Sequence, residues 1–183
     1  MDPLEIIKKY YKPESRAFLI LVNHSKAVAE KALKITRKFD VDSQFIYEAA
    51  MLHDIGIFMT DTPKFDCYGS FPYIAHGYLG REILEKEGFP DHALVCERHT
   101  GVGITKEEII KNKLPLPLRD MVPLTMEEKI IAYADKFFSK ESDGSVRMRT
   151  VNEIIKDLSR YGEEKVKIFK EWLELFDKGS VKF

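Results

Sequence analysis

Residues 42–56 read DSQFIYEAAMLHDIG. Asp42 or Ser43 offers a side-chain oxygen to the free amides of a helix start, the run Gln44 to Leu52 contains neither Pro nor Gly, and Gly56 supplies a stop. On a helix of about 3.6 residues per turn, Ile46, Ala49 and His53 fall on one inward face. A histidine carried inward by an apolar stripe, with Asp54 directly behind it, is costly to bury without a partner.

Working outward, apolar residues recur at three and four positions rather than at two, which predicts helices stacked around one core and no strand. Glu5 to Tyr11 reads as a short helix after Pro3, and Pro13 as the first position of a longer one reaching about Phe39. A further helix is expected from Ile74 to Glu87, because Gly88-Phe89-Pro90 punctuates the chain, and Asp91 then caps one running to His99. Thr105 with Glu108, and Thr125 with Glu128, fit the capping box and open helices Lys106 to Asn112 and Met126 to Lys140. Thr150 to Arg160 and Glu163 to Phe176 complete an all-α chain. Met59 to Tyr73 and Leu114 to Leu124 are the long irregular stretches.

The chain has 183 residues, with 29 Lys+Arg against 30 Asp+Glu and a formal charge of −1. That length predicts a single domain over 1–183, and that balance lacks the basic footprint of a general nucleic-acid binder, so no nucleic-acid partner is expected. Cys67 and Cys96 are too few for a disulfide framework, and the start MDPLEIIKKYY lacks a secretory signal's apolar stretch, so a cytoplasmic location is expected. The longest strictly apolar run, Ala17 to Val22, falls far short of the roughly 20 residues that cross a bilayer, and no membrane partner is expected.

Four of the five histidines share this inward habit. His24 lies on a face with Leu21, Val28 and Ile35; His53 follows Ile46 and Ala49; His76 precedes Leu79 and Ile83; His99 follows Val95. Asp135 lies one turn from Ile131 and Phe138 on a face that should be buried. Four buried imidazoles and two buried carboxylates call for a common explanation, and a metal site is one. Each ligand would come from a different helix, apart from the adjacent His53-Asp54, as when antiparallel helices converge in a bundle core. Imidazole with carboxylate suits Fe, Mn, Co or Zn better than Ca or a thiolate cluster.

The order His24, His53-Asp54, Asp135, with Leu52-His53-Asp54-Ile55-Gly56 as its local form, resembles the HD-domain superfamily of metal-dependent phosphohydrolases over roughly residues 20–140. The resemblance implies an HD-type helical bundle with a core of about 14–140 and C-terminal helices, about 150–176, packed on it. The extra His76 and His99 look like the six-ligand, two-metal branch. The stretch His99-Thr100, followed by Glu128 to Asp135, is similar to bacterial HD-type enzymes that split diadenosine tetraphosphate symmetrically. The resemblance implies that His24, His53, Asp54 and Asp135 hold one ion and that His76, His99 and a bridging Asp54 hold the other. A pair of ions about 3.5–4 Å apart lowers the pKa of a shared water to about 7, and that hydroxide attacks phosphorus. Many members carry Lys after His-Asp-Ile-Gly; this chain has Ile57, so any role of that lysine is vacant or moved.

Within this reading Asp54 and Lys136 are the candidate catalytic residues, and Thr100, Arg98, Lys106 and Arg119 are candidates for holding a small phosphorylated, nucleotide-like substrate. For Arg119 in particular a solvated surface charge competes with that role. Phe58, Phe65, Tyr68, Phe71 and Tyr73 form either a lid over the site or packing at the bundle end. Cys96 and His99 share a zinc-like spacing, with Cys67 and His92 as conceivable partners, but a small core residue for Cys96, a loop residue for Cys67 and a surface residue for His92 are the simpler readings. Gly101-Val102-Gly103 reads as a helix terminator. The same ligand set also serves an HD-fold mixed-valence di-iron oxygenase, and a non-catalytic nucleotide-binding domain is the third class.

Overall fold

The computed structural model describes residues 1–178; the rest of the expected 1–183 span lies outside them. Helices dominate, in the order α1 (Pro3–Tyr10), α2 (Arg16–Thr36), α3 (Ser43–Leu52), α4 (His76–Lys86), α5 (Pro90–Arg98), α6 (Lys106–Asn112), α7 (Met126–Asp135), α8 (Val151–Ser159) and α9 (Glu163–Leu173). The caps follow the local chemistry. Asp42 accepts from the Phe45 amide at the start of α3, and reciprocal capping boxes open α6 (Thr105, Glu108) and α8 (Thr150, Glu153). At α7 only half of the box forms. Thr125 accepts from the Glu128 amide, but the Glu128 carboxylate turns to the Leu124 amide and to Arg98.

The long α2 packs against α3 and α7, α4 packs against α5, and α3, α5 and α7 touch one another. Ala29, Ala32, Ala49 and Ala50 let these axes approach, while Val28, Ile46, Leu52, Ile130 and Ile131 fill the centre, all at or near zero exposure. Each of these larger side chains contributes about 1.5–3 kcal/mol by leaving water. Gly56 follows the same logic: a Cβ there would lie 2.2 Å from the His76 carbonyl and 2.5 Å from the Gly80 amide. Its place is set by the approach of α4, rather than by termination of α3, which ends at Leu52. Tyr133, Phe137, Phe169 and Phe176 form an aromatic cluster that joins α7 to α9, and Tyr133 donates to Asp177 at 2.8 Å.

Four expectations about boundaries are corrected. Pro13 does not open α2; Glu14 takes a left-handed φ of 66° and Ser15 becomes the cap. A tight 3-10 turn over Tyr73–Ala75 holds the chain before α4, which starts at His76 rather than Ile74. Pro90, not the residue after Asp91, is the first residue of α5, its missing amide costing nothing there. Most consequential, α7 stops at Asp135 instead of running to Lys140.

Strands are present, contrary to the all-helical texture of the sequence, although both sheets are small. β1 (Asp61–Thr62) pairs with β2 (Cys67–Tyr68), and β3 (Phe138–Lys140) with β4 (Val146–Met148), in both cases antiparallel. Lys140 faces Val146 in the second hairpin, and Asn23 on α2 donates to the Gly144 carbonyl at 2.9 Å, which fixes the hairpin tip to that helix. Among the described residues no helix is long and apolar enough to cross a membrane.

Candidate metal centre

Six side chains from five helices meet in one buried volume. His24 comes from the middle of α2, His53 is the C-cap of α3 with Asp54 next to it, His76 opens α4, His99 is the C-cap of α5, and Asp135 ends α7. The C-terminal ends of α3, α5 and α7 therefore point their partial negative charge toward the same volume, which favours cations there. All four histidines and Asp54 are at most 4% exposed.

Ligand atoms of His24, His53, Asp54 and Asp135 lie within 4.8 Å of one another, and so do those of Asp54, His76 and His99. Asp54 belongs to both groups. Its Oδ2 is 3.3 Å from His24 Nε2 and 3.2 Å from His53 Nε2, while its Oδ1 is 3.2 Å from His76 Nε2 and 3.4 Å from His99 Nε2. Asp135 Oδ1 approaches His24 Nε2 at 2.9 Å and His53 Nε2 at 3.4 Å.

The backbone fixes the imidazoles. Nδ1 of His53 lies 2.6 Å from the Ala50 carbonyl, Nδ1 of His76 is 2.7 Å from that of Tyr73, and Nδ1 of His99 is 2.7 Å from that of Cys96. A carbonyl only accepts, so each Nδ1 carries a proton, and Nε2, which faces the centre, is the nitrogen left to offer a lone pair whenever the ring is neutral. His76 Nε2 and His99 Nε2 then face each other at 3.1 Å, a repulsive contact between two acceptors that a cation between them relieves. Both oxygens of Asp54 and Nε2 of His53 are buried with no hydrogen bond of good angle. Convergent nitrogen and oxygen donors of this kind fit divalent transition ions, so these His/Asp clusters could hold metal.

Burial and charge act unevenly on the cluster. Burial pushes the imidazoles of His24 and His99 down to about 4. Burial opposes the charged form of His53 too, but without an ion the Asp54 and Asp135 carboxylates outweigh it and raise that ring to about 9, so its Nε2 carries a proton there that a bound metal ion would displace. Both aspartates stay far below the ordinary carboxylate range despite burial, Asp54 through His53 and Lys140, and Asp135 through Lys136 and His24. Two ammoniums face the carboxylates: Lys136 Nζ is 2.8 Å from Asp135 Oδ2, and Lys140 Nζ is 2.6 Å from Asp54 Oδ2.

The other residues expected at the site are placed differently. Thr100 follows His99, half-buried. The Arg98 guanidinium is held by Glu128 at 2.8 Å, that of Arg119 lies 2.5 Å from the buried Glu97, and Lys106 is exposed at the start of α6, where its amide donates to Asp120. Among the described residues none of these three bonds to the cluster. No cysteine joins it either: Cys96 donates to the Leu52 carbonyl and Cys67 to that of Phe65. Cys67 is buried on β2 rather than loose in a loop. His92, expected at the surface, packs its ring on Phe45 and Phe89 and reaches Glu48 at 3.2 Å, because α5 turns it against α3. Of the aromatic stretch, Tyr73 stacks on His76 with ring centroids 4.7 Å apart, and Phe65 leans on Tyr73. Phe58 instead packs on Tyr10 and Tyr11, away from the imidazoles.

A family model described as HD domain matches residues 21–139. The chain belongs to this family. The HD domain is 41% identical over 121 residues to an uncharacterized protein, MJ0778, of Methanocaldococcus jannaschii, covering 63% of this chain and 64% of the relative. It is 34% identical over 151 residues, 82% of this chain and 41% of the relative, to a tRNA (cytidine(56)-2'-O)-methyltransferase of Thermoplasma volcanium. A protein of the same name in Picrophilus torridus is 36% identical over 143 residues, 73% of this chain and 38% of the relative. The chain thus spans only about two fifths to two thirds of the length of these curated relatives. Among solved structures, the HD domain of the phosphodiesterase PgpH from L. monocytogenes superposes with a TM-score of 0.53 at 20% identity, over 97% of both chains. Its complex with cyclic-di-AMP gives 0.54 at 20% identity, over 99% and 98%. At that identity the likeness is one of fold.

One residue at the centre of this HD domain escapes the sequence reading, because the apolar pattern places Lys140 on a continuing helix; Tyr73 is one of the five aromatics expected to form either a lid or packing at the bundle end. The turn Asp143-Gly144, with Gly144 at φ 87°, is the hairpin signal that would have moved Lys140.

Proposed function

We propose that this HD domain is a metal-dependent phosphohydrolase that opens a phosphate ester or anhydride in a small nucleotide-like substrate. The observation that carries the reading is the orientation of three imidazoles: backbone carbonyls hold Nδ1 of His53, His76 and His99 and leave each Nε2 facing the two oxygens of Asp54. In this reading His24, His53, Asp54 and Asp135 hold one ion, Asp54, His76 and His99 hold the second, and both are Fe, Mn, Co or Zn. Ions bound there supply Lewis acidity and a water ionised at a pH of about 7.

The chain's own groups do the rest. Lys136, 2.8 Å from Asp135, offers positive charge where a phosphoryl group gains negative charge. Thr100, beside His99, offers a hydroxyl to the substrate. Tyr73, stacked on His76 and 38% exposed, closes one side of the centre and presents a ring edge on which a base can rest. Support for a nucleotide also comes from the PgpH domain, which was crystallised with cyclic-di-AMP. Dinucleoside polyphosphates stand first among candidates because of the sequence around His99-Thr100 and Glu128 to Asp135. A net charge of −1 favours a free nucleotide over nucleic acid.

The test is a panel of mono-, cyclic and dinucleotides, dinucleoside polyphosphates and a short RNA, with the protein loaded in turn with Mn, Co, Fe or Zn. Release of phosphate or nucleoside phosphate under anoxia, with a redox-inert ion, supports the reading. Silence across the panel with fully loaded protein, or turnover that requires oxygen uptake by the iron form, contradicts it. Cleavage of the RNA alone removes the small-molecule element.

A further inference from the structure

One cation in the centre has no part in the function proposed above. Lys140 leaves β3 with its side chain 9% exposed and brings Nζ to 2.6 Å from Asp54 Oδ2. The Tyr73 hydroxyl accepts from the same ammonium at 3.4 Å, and the Phe65 ring centroid is 6.0 Å away. The position is built. The β3–β4 register sets Lys140 against Val146, and Asn23 anchors the hairpin tip to α2 one residue before His24. The residue that follows His53-Asp54-Ile55-Gly56 is the buried, apolar Ile57, so no cation reaches the centre from that side.

A buried ammonium needs an anion. The anion it has is the carboxylate that both ligand groups share, and Oδ2 is the oxygen that also faces His24 and His53. Ions and Lys140 therefore draw on the same atom. Once Asp54 is committed to ions, Lys140 remains where the hairpin holds it, with its strongest partner already engaged. The ions outweigh the two aspartates in charge, and Lys136 with Lys140 adds to that surplus, which calls for a partner carrying several negative charges.

We propose that Lys140 is a phosphoryl-binding residue, its ammonium donating to a non-bridging oxygen of the substrate's phosphate beside Asp54. This rests on the metal-dependent reading of the site and adds the residue that selects a multiply charged phosphate.

Full-length protein loaded with Mn2+ tests it, with inorganic phosphate as the probe in titration calorimetry and Mn2+ content read by atomic emission. Lys140→Met should keep the wild-type Mn2+ stoichiometry, with equal or tighter Mn2+ binding because a competitor for Asp54 is gone. Its phosphate affinity should fall by about 10- to 100-fold, the worth of a charge-assisted hydrogen bond. Lys140→Arg should recover most of that loss. Lys140→Gln, which keeps a donor toward Asp54 but no charge, decides the matter if the Met variant does not fold. Phosphate binding unchanged within about twofold in the uncharged variant overturns the proposal. So does a loss of phosphate binding that merely tracks a loss of Mn2+, which would make Lys140 structural. Wild-type protein that takes up Mn2+ but binds no phosphate also overturns it while leaving the metal centre intact; wild-type protein that takes up no Mn2+ overturns the metal-dependent reading itself, and this proposal with it.

Discussion

Asp54 Oδ1 lies 3.2 Å from His76 Nε2, while the other oxygen of the same carboxylate faces His24 and His53. One short side chain, set at the end of α3, therefore joins the two groups of candidate ligands. The substitution Asp54→Asn keeps the volume and removes the charge. No helix cap and no apolar contact is lost, but the buried Lys140 ammonium loses its carboxylate, so the variant should keep the fold at reduced stability. Changes beyond the ligands already cost metal sites about 10- to 100-fold in affinity or activity, so loss of the shared ligand should cost at least about 100-fold in both. Circular dichroism with metal analysis checks this; an Asp54→Asn variant with wild-type metal content contradicts the bridging position.

Gly56 makes a separate prediction about the frame that brings His76 to the site. A Cβ on residue 56 would fall within 2.5 Å of two backbone atoms of α4, the His76 carbonyl and the Gly80 amide. Backbone gives way less readily than a flexible side chain. Gly56→Ala should therefore destabilise the protein by at least the overpacking range, about 1–3 kcal/mol, and weaken metal binding as α4 is pushed outward. Urea unfolding measures the first effect; a midpoint equal to wild type would mean that α4 does not approach so closely.

A third prediction concerns pH and lies away from the site. Lys165 on α9 donates to the Glu108 carboxylate at 2.7 Å and to the Gly103 carbonyl at 2.7 Å, which clamps α9 to the start of α6. Burial pushes the Glu108 carboxyl up, but its bonds from Lys165 and from the Thr105 amide prevail and hold it below the ordinary value. A carboxyl with a depressed folded value stabilises fully above its unfolded value, about 4.3, and loses that contribution as pH falls through the folded value. Glu108→Gln should thus lower the melting temperature at pH 7, on the order of 2–4 °C for this size of chain. Below pH 4 the difference should shrink. A gap that widens on acidification would contradict the clamp.

Much of this was legible before any coordinates. The helix over 106–112 and the starts of those at 43 and 126 follow from caps and apolar spacing, because Asp42, Thr105 and Thr125 do local work that needs no tertiary context. The inward histidines were legible for the same reason: His24, His53, His76 and His99 each ride on a helical stripe. What stayed hidden depended on contacts between distant segments. Phe137-Phe138 continues an apolar pattern that a helix or a strand can equally use, and the chain leaves the helix because Phe137 joins Tyr133 and Phe169 while Phe138 pairs with Met148. That choice carries Lys140 to Asp54. Arg98 and Arg119 look like free cations in sequence, yet Glu128 and Glu97, far along the chain, hold them. His92 looks like a surface residue until Phe45 and Glu48 of α3 come against it.

Metal stoichiometry measured on the purified full chain, beside its His76→Ala variant, tests the central claim most directly. Our account predicts two transition ions per wild-type chain and about one in the variant, since His24, His53, Asp54 and Asp135 remain to hold the other. Wild-type protein that holds no transition ion after equilibration with excess Mn2+, Co2+ or Fe2+, or a variant that still holds two, would contradict it.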